Sequence, residues 1–261
     1  MTPTRGTRYV AIGSSFAAGP GITPPATGRP AKSRQSQRNY PHLVARQCGL
    51  DLHDVTSSGA TVKDVLHTSQ FGQPPQIAAV TARTDLITVT IGGNDIGYIP
   101  SLIAACLPDW ISKVPVLGHR LRRATEPAQA SDRLTRTTNG LGQVFTAIRD
   151  QAPDARIICV DYLTVLPRTY RADLPFNEPT HHALNGLAND LNTALAQACS
   201  EHGVELVAAS AHSLTHHAWS DEPWTAGWTG ARPGADPAFH PNADGMTSVS
   251  DLIADRLTTA G

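Results

Sequence analysis

Leu86-Ile-Thr-Val-Thr-Ile91 is an unbroken run of apolar and β-branched residues that stops at Gly92-Gly-Asn-Asp95. A run of strand length without polar alternation is covered on both faces, as in a parallel sheet sandwiched between helices. Four further runs have the same character: 9–12, 52–55, 157–162 and 204–208. Helical patterns lie between and after them. Residues 40–48 place Leu43, Val44 and Gln47 at helical spacing, 134–149 repeat at Leu141, Val144, Phe145 and Ile148, and 184–199 repeat at Leu184, Leu187, Leu191 and Leu195. The last segment, 242–257, starts behind Pro241, where a helix can begin. Strands that alternate with helices pair in parallel. The predicted class is therefore α/β, a three-layer α/β/α sandwich on a five-stranded parallel sheet, flavodoxin-like in layout.

At 261 residues the chain can bury one large core, and a single domain over 1–261 is expected. Lys+Arg number 21 against 22 Asp+Glu, a net charge of -1, so no field steers a polyanion and nucleic acid is not an expected partner. The basic stretch 29–38 also carries Ser33, Gln35, Ser36 and Gln37 and reads as a solvated loop. No apolar run approaches the ~20 residues that cross a bilayer. The start, Met-Thr-Pro-Thr-Arg-Gly-Thr-Arg, shows no basic segment followed by an apolar leader, and a cytoplasmic location is expected. Cys48, Cys106, Cys159 and Cys199 are scattered without metal-site spacing and are expected to be reduced. The adjacent pairs His181-His182 and His216-His217 lack further ligands at useful spacing, so neither metal nor cofactor is expected.

In open α/β sheets ligands bind beyond the carboxyl ends of the strands. Three such ends carry suggestive residues. Tyr9-Val-Ala-Ile-Gly-Ser-Ser-Phe-Ala-Ala-Gly19 breaks from a strand into small residues at Ser15, Ser57-Ser-Gly-Ala-Thr61 follows the second strand with Gly59, and the third strand leads to Asn94. His240, in Phe239-His-Pro-Asn242, precedes the last helix. A serine hydroxyl needs a base to become a nucleophile, and the anion formed on an attacked carbonyl needs donors already in place.

Taken in order, these blocks resemble the SGNH, or GDSL-type, serine hydrolase family of esterases and lipases, and the segment 219–224 is similar to a stretch in its actinobacterial members. Phe16 and Gly19 set the register, so that Ser15 stands at the family's nucleophile and Ser14 where an aspartate is usual. The resemblance implies an ester hydrolase without metal. Ser15 and His240 would be catalytic, and the oxyanion hole would come from the Ser15 and Gly59 main-chain N–H groups and the Asn94 amide. The family usually places an aspartate three residues before the histidine. Pro237 occupies that position here, so Asp236 is retained as the orienting carboxylate, with a main-chain carbonyl as the alternative. The resemblance to the secreted actinobacterial lipases and esterases of the family implies cysteines where Ser57 and Trp219 stand, and their absence here agrees with a reducing compartment.

Two stretches, 19–39 and 218–237, resist an element assignment. The second contains Trp219, Trp224 and Trp228, which either wall a substrate pocket or pin the loop to the sheet. The expected partner is a small-molecule ester. Three alternatives stand beside hydrolysis: an acyltransferase or thioesterase in a biosynthetic pathway, a nucleotide- or flavin-binding module, and a weakly catalytic member of the family that only binds its ligand. The Gly-x-Gly-x-x-Gly spacing of a nucleotide loop is absent from 13–19.

Overall fold

In a computed structural model, the described residues are 4–107, 127–228, 230 and 237–259. Five parallel strands form one sheet: β1 (Arg8–Gly13), β2 (Asp51–Asp54), β3 (Leu86–Thr90), β4 (Arg156–Val160) and β5 (Glu205–Val207), in the order β2-β1-β3-β4-β5. The helices in chain order are α1 (Ser15–Ala18), α2 (Tyr40–Cys48), α3 (Val62–Leu66), α4 (Gly93–Ile96), α5 (Tyr98–Cys106), α6 (Pro127–Gln151), α7 (Glu178–Glu201), α8 (Ala209–His212) and α9 (Ala243–Thr259). All five predicted strands are present, and the helix predicted over 40–48 has those bounds. Helical patterns in the sequence correspond to α2, α6, α7 and α9, whereas the short helices α1, α3, α4 and α8 and the nine-residue α5 have no predicted counterpart. Of these, α5 is the longest. It carries Pro100 within its first turn, where the missing N–H costs little.

Every residue of β3 is buried, as its unbroken apolar run requires. Helices α2 and α9 pack against each other, as do α6 and α7. On the central strands, the buried Tyr9 hydroxyl meets Thr88 Oγ1 at 2.7 Å, and the Tyr40 hydroxyl of α2 meets Thr90 Oγ1 at 2.9 Å. Each phenol thus satisfies a β3 threonine that would otherwise be buried unpaired. The core also contains Ile12, Val89, Phe145, Ile158 and Leu195.

The strand order reverses direction between β1 and β3, which are neighbours although β2 lies between them in sequence. This switch point opens a crevice at the carboxyl edge, and Ser15 and Asn94 follow the two strands that flank it. Beyond the end of β2, the side chain of Gln76 completes the pairing of β1. Its Oε1 accepts from Gly13 N–H at 2.8 Å and its Nε2 donates to the Gly13 carbonyl at 3.1 Å.

The stretch 29–38 departs from the solvated loop expected of its composition. Ser33, Gln35 and Ser36 are buried, together with Asn39 beyond it. Gln35 Nε2 donates to the carbonyls of Asp54 and Thr56, and Asn39 Nδ2 donates to the Asp54 carboxylate at 2.7 Å. These polar side chains are inside because they satisfy backbone and carboxylate groups that β2 leaves unpaired at its end.

Candidate active site

Gly13 ends β1, and Ser14 turns the chain so that Ser15 begins the single turn of α1. The turn closes on Gly19 at φ 71°, whose N–H donates to the Ser15 carbonyl. A side chain at Gly13 would strike Ala17 Cβ and the Thr90 carbonyl, so the nucleophile turn packs onto β3 without room for a Cβ there.

The Ser15 hydroxyl lies 2.9 Å from His240 Nε2. On the other side of the ring, His240 Nδ1 lies 2.9 Å from the Ala238 carbonyl. A carbonyl can only accept, so Nδ1 carries the proton and Nε2 presents a lone pair to Ser15. Packing against protein, with the Arg34 guanidinium adding to it, holds the imidazole below the ordinary histidine range. A main-chain carbonyl, one of the two orienters considered from the sequence, is thus in contact with the ring, and Asp236 lies outside the described residues.

His240 hangs from a two-stranded ribbon. Phe239 N–H donates to the Ala226 carbonyl and Ala226 N–H donates to the His240 carbonyl, both at 2.8 Å. Asn242 then starts α9, accepting from Gly245 N–H at 2.8 Å while donating to the Pro223 carbonyl. Phe239 adopts φ 64°, rare for a bulky residue, and is fully buried. Its ring stacks with both Trp219 and Trp228, with ring centroids 5.9 and 6.2 Å away. Trp224 stacks instead on His216 at 4.2 Å. The part played by Phe239 is invisible in the sequence except as an aromatic next to the histidine.

Three loops are tied together around Ser15. Ser57 N–H donates to the Gly13 carbonyl at 3.0 Å, joining the Gly59 loop to the nucleophile strand. Asn94 Nδ2 donates to the Ala60 carbonyl at 2.8 Å, joining the third loop to the second. Asp95 reinforces that joint by accepting from Val62 N–H, and burial pushes its carboxyl up to about 6. The third link is Tyr162, which sequence inspection missed. Its hydroxyl accepts from Gly93 N–H at 2.8 Å and interacts with Ser14, while its ring packs on Phe16 at 4.7 Å. Ser14, 1 % exposed, thus serves the loop scaffold, and His240 meets its neighbour Ser15.

Among the described residues, the main-chain N–H groups of Ser15 and Gly59 make no hydrogen bond. Gly59 has φ 79° and is exposed, so its N–H sits on a turn that an L side chain would strain. One hydrogen of the Asn94 amide is held by Ala60, and the other remains to be donated. No group of three or more metal-binding side chains occurs among the described residues.

A parallel α/β sheet with a serine and a histidine in contact at its carboxyl edge is the layout of a serine hydrolase. The chain belongs to the GDSL-like lipase/acylhydrolase family, whose pattern matches residues 11–247. It is 31% identical over 220 residues to Lipase 2 of Streptomyces coelicolor, an alignment covering 80% of this chain and 72% of the relative. It is 28% identical over 253 residues to a lipase of Streptomyces rimosus, covering 92% and 83%. Among solved structures, an extracellular lipase from Streptomyces rimosus superposes with a TM-score of 0.76 at 26% identity, covering 96% of this chain and 99% of that one. A phospholipase A1 from Streptomyces albidoflavus NA297 shares the fold with a TM-score of 0.77 at 23% identity, covering 96% and 98%. The chain is accordingly a hydrolase acting on esters. No helix among the described residues is long and apolar enough to cross a membrane.

Proposed function

We propose that the chain cleaves a carboxylic ester through an acyl-enzyme on Ser15, with His240 as the base. The observation that carries this reading is the 2.9 Å contact between Ser15 Oγ and His240 Nε2. As Oγ attacks the ester carbonyl, its proton passes to Nε2, and the carbonyl oxygen takes up negative charge facing the Ser15 and Gly59 N–H groups and the Asn94 amide. Collapse of the tetrahedral species expels the alcohol, which receives the proton from His240. Water then repeats the sequence on the acyl-enzyme, releasing the acid and restoring Ser15. The Ala238 carbonyl fixes the tautomer but offers the transient imidazolium less than a full carboxylate charge would, so the base is a mild one.

Trp219 and Trp228, which brace Phe239, are proposed to present their remaining faces to the acyl group, with Trp224 set apart on His216. The packing of one sheet and one hydrophobic core supports a single domain. A reducing, cytoplasmic setting is supported by the free thiols of Cys48, Cys106, Cys159 and Cys199, although the Streptomyces rimosus relative is described as extracellular.

The test is an ester panel of graded acyl length, with Ser15→Ala beside the native protein and mass analysis after an organophosphonate. Turnover on short to medium esters, its loss in the alanine variant, and one phosphonate adduct on Ser15 are the expected results. Full turnover by Ser15→Ala overturns the assignment.

A further inference from the structure

The loop 29–38 holds Arg29, Lys32, Arg34 and Arg38 and no acidic residue, in a chain whose net charge is -1. Its path fixes where those cations stand. The Ser33 carbonyl accepts from Ser58 N–H at 2.9 Å, beside Gly59, and Ser36 N–H donates to the Ala18 carbonyl at 2.8 Å, in the turn that begins at Ser15. Residues 33–36 are therefore stitched between the nucleophile turn and the Gly59 loop. Ser33, Gln35 and Ser36 are buried, while Arg34 between them is exposed.

Arg34 also has φ 51°, one of three non-glycine residues with positive φ among those described. The left-handed conformation is disfavoured for an arginine, because its Cβ crowds the following carbonyl oxygen. It is held by the end of the 3₁₀ turn Ala31–Ser33, where Arg34 N–H donates to the Ala31 carbonyl. Neighbouring structure thus enforces a backbone state that glycine or asparagine would adopt more readily, and it aims a long cationic side chain out of the loop. Strain maintained in this way collects where a side chain has a task. Among the described residues Arg34 forms no ion pair, and its charge reaches His240.

We propose that Arg34 is a specificity-determining residue, whose guanidinium at the rim of the reactive centre binds an anionic group of the substrate, so that esters carrying a phosphate, carboxylate or sulfonate are preferred over neutral ones of equal size. This rests on the reading of Ser15 and His240 as the reacting pair. The planar, permanently charged fork of arginine suits oxyanions, and a lysine would retain only the point charge.

The experiment compares matched soluble esters at monomeric concentrations. One pair is an aryl butyrate and the corresponding aryl hemisuccinate, with the anion on the acyl side. The other is the butyrate esters of 4-hydroxybenzenesulfonamide and 4-hydroxybenzenesulfonate, with the anion on the alcohol side. In at least one pair the native enzyme is expected to favour the anionic ester, and Arg34→Gln to lower the anionic-to-neutral ratio of kcat/KM by roughly 10-fold, mainly through KM. Arg34→Lys should keep part of the ratio, and added salt should compress it. Taking a ratio cancels any effect of the guanidinium on the imidazole, because both esters use the same base. Lys32→Gln, on the same loop, should leave the ratio within about twofold, as expected of an exposed solvated charge.

A native preference for neutral esters, or a ratio unmoved by Arg34→Gln, overturns the proposal. So does a preference that appears only on anionic vesicles, which would make the loop a surface-docking element instead. Binding of the matched non-hydrolysable amides to Ser15→Ala, measured by calorimetry, yields the same ratio without turnover. Hydrolysis retained by Ser15→Ala sinks the reading of the site, whereas equal affinity for both amides sinks the role of Arg34.

Discussion

The serine and the histidine that meet at the carboxyl edge are held by different kinds of structure. Ser15 follows β1, an interior strand of the sheet, with β2 and β3 on either side and Gln76 completing the pairing at Gly13. His240 lies off the sheet on a short ribbon, braced by the aromatic stack on Phe239 and by Asn242 at the head of α9. Main-chain pairing sets the nucleophile, while side-chain stacking sets the base. Disturbing the first should cost folding along with activity; disturbing the second should cost activity and pH behaviour first.

The largest expected effect is common to both sides. His240→Ala and Ser15→Ala should each lower kcat by about 10³-fold or more, and the double variant should fall little further, since the two act as a unit. Stopped assays on one activated ester with all three proteins check this. If the losses multiplied, the residues would not share one step. Next, Asn94→Ala should lower kcat by about 10²-fold with KM little changed, because its free amide hydrogen is used only as charge develops. Rescue to near-native turnover without Asn94 would remove it from the oxyanion site.

The contrast itself is sharpened by Phe239→Leu. Losing the ring that stacks with two indoles should destabilise the protein by about 1–3 kcal/mol. It should also lower kcat about 10-fold and shift the acid limb of the pH profile, because the ribbon no longer fixes the angle between Nδ1 and the Ala238 carbonyl. Unchanged kcat with lowered Tm would make the stack a purely structural brace.

A smaller effect is the pH dependence of the base. His240 is held below the usual histidine value, first by burial and then by Arg34, so the unprotonated imidazole persists into mildly acidic solution. The acid limb of kcat/KM should therefore fall below about 6.5, and Arg34→Gln should move it upward. The smallest effect is on stability. Burial raises the Asp95 and Asp161 carboxyls to about 6, above their unfolded values. The folded state therefore holds protons that the unfolded state has released, and this contribution is full below about 4 and lost as pH rises through about 6. Asp95→Asn should flatten the decline in Tm between about pH 4 and 6.

Much of the scaffold could be read from periodicity. The apolar runs became strands, and the small residues after them became the loops of the site, because strand burial and turn chemistry leave local traces. The buried strap at 33–39 did not, since polar residues look solvated until their partners are known, and those partners lie on β2 and beyond it. Tyr162 was equally hidden: it ends an apolar run, and only the fold shows its hydroxyl under Gly93. Phe239 was passed over for a related reason. Its left-handed backbone is imposed by the ribbon and by indoles more than ten residues upstream, and no local pattern encodes it.

The side-chain amide of Gln76, which both accepts from and donates to Gly13, imitates the peptide group of an absent strand residue. The edge of the sheet is in effect lengthened by one rung exactly where a reactive hydroxyl must stay still through repeated cycles of attack and release. Amide hydrogen exchange at Gly13 should consequently be as slow as in the middle of β1, and replacing the glutamine by an isosteric glutamate, which cannot donate, should let that rung open before the rest of the strand does.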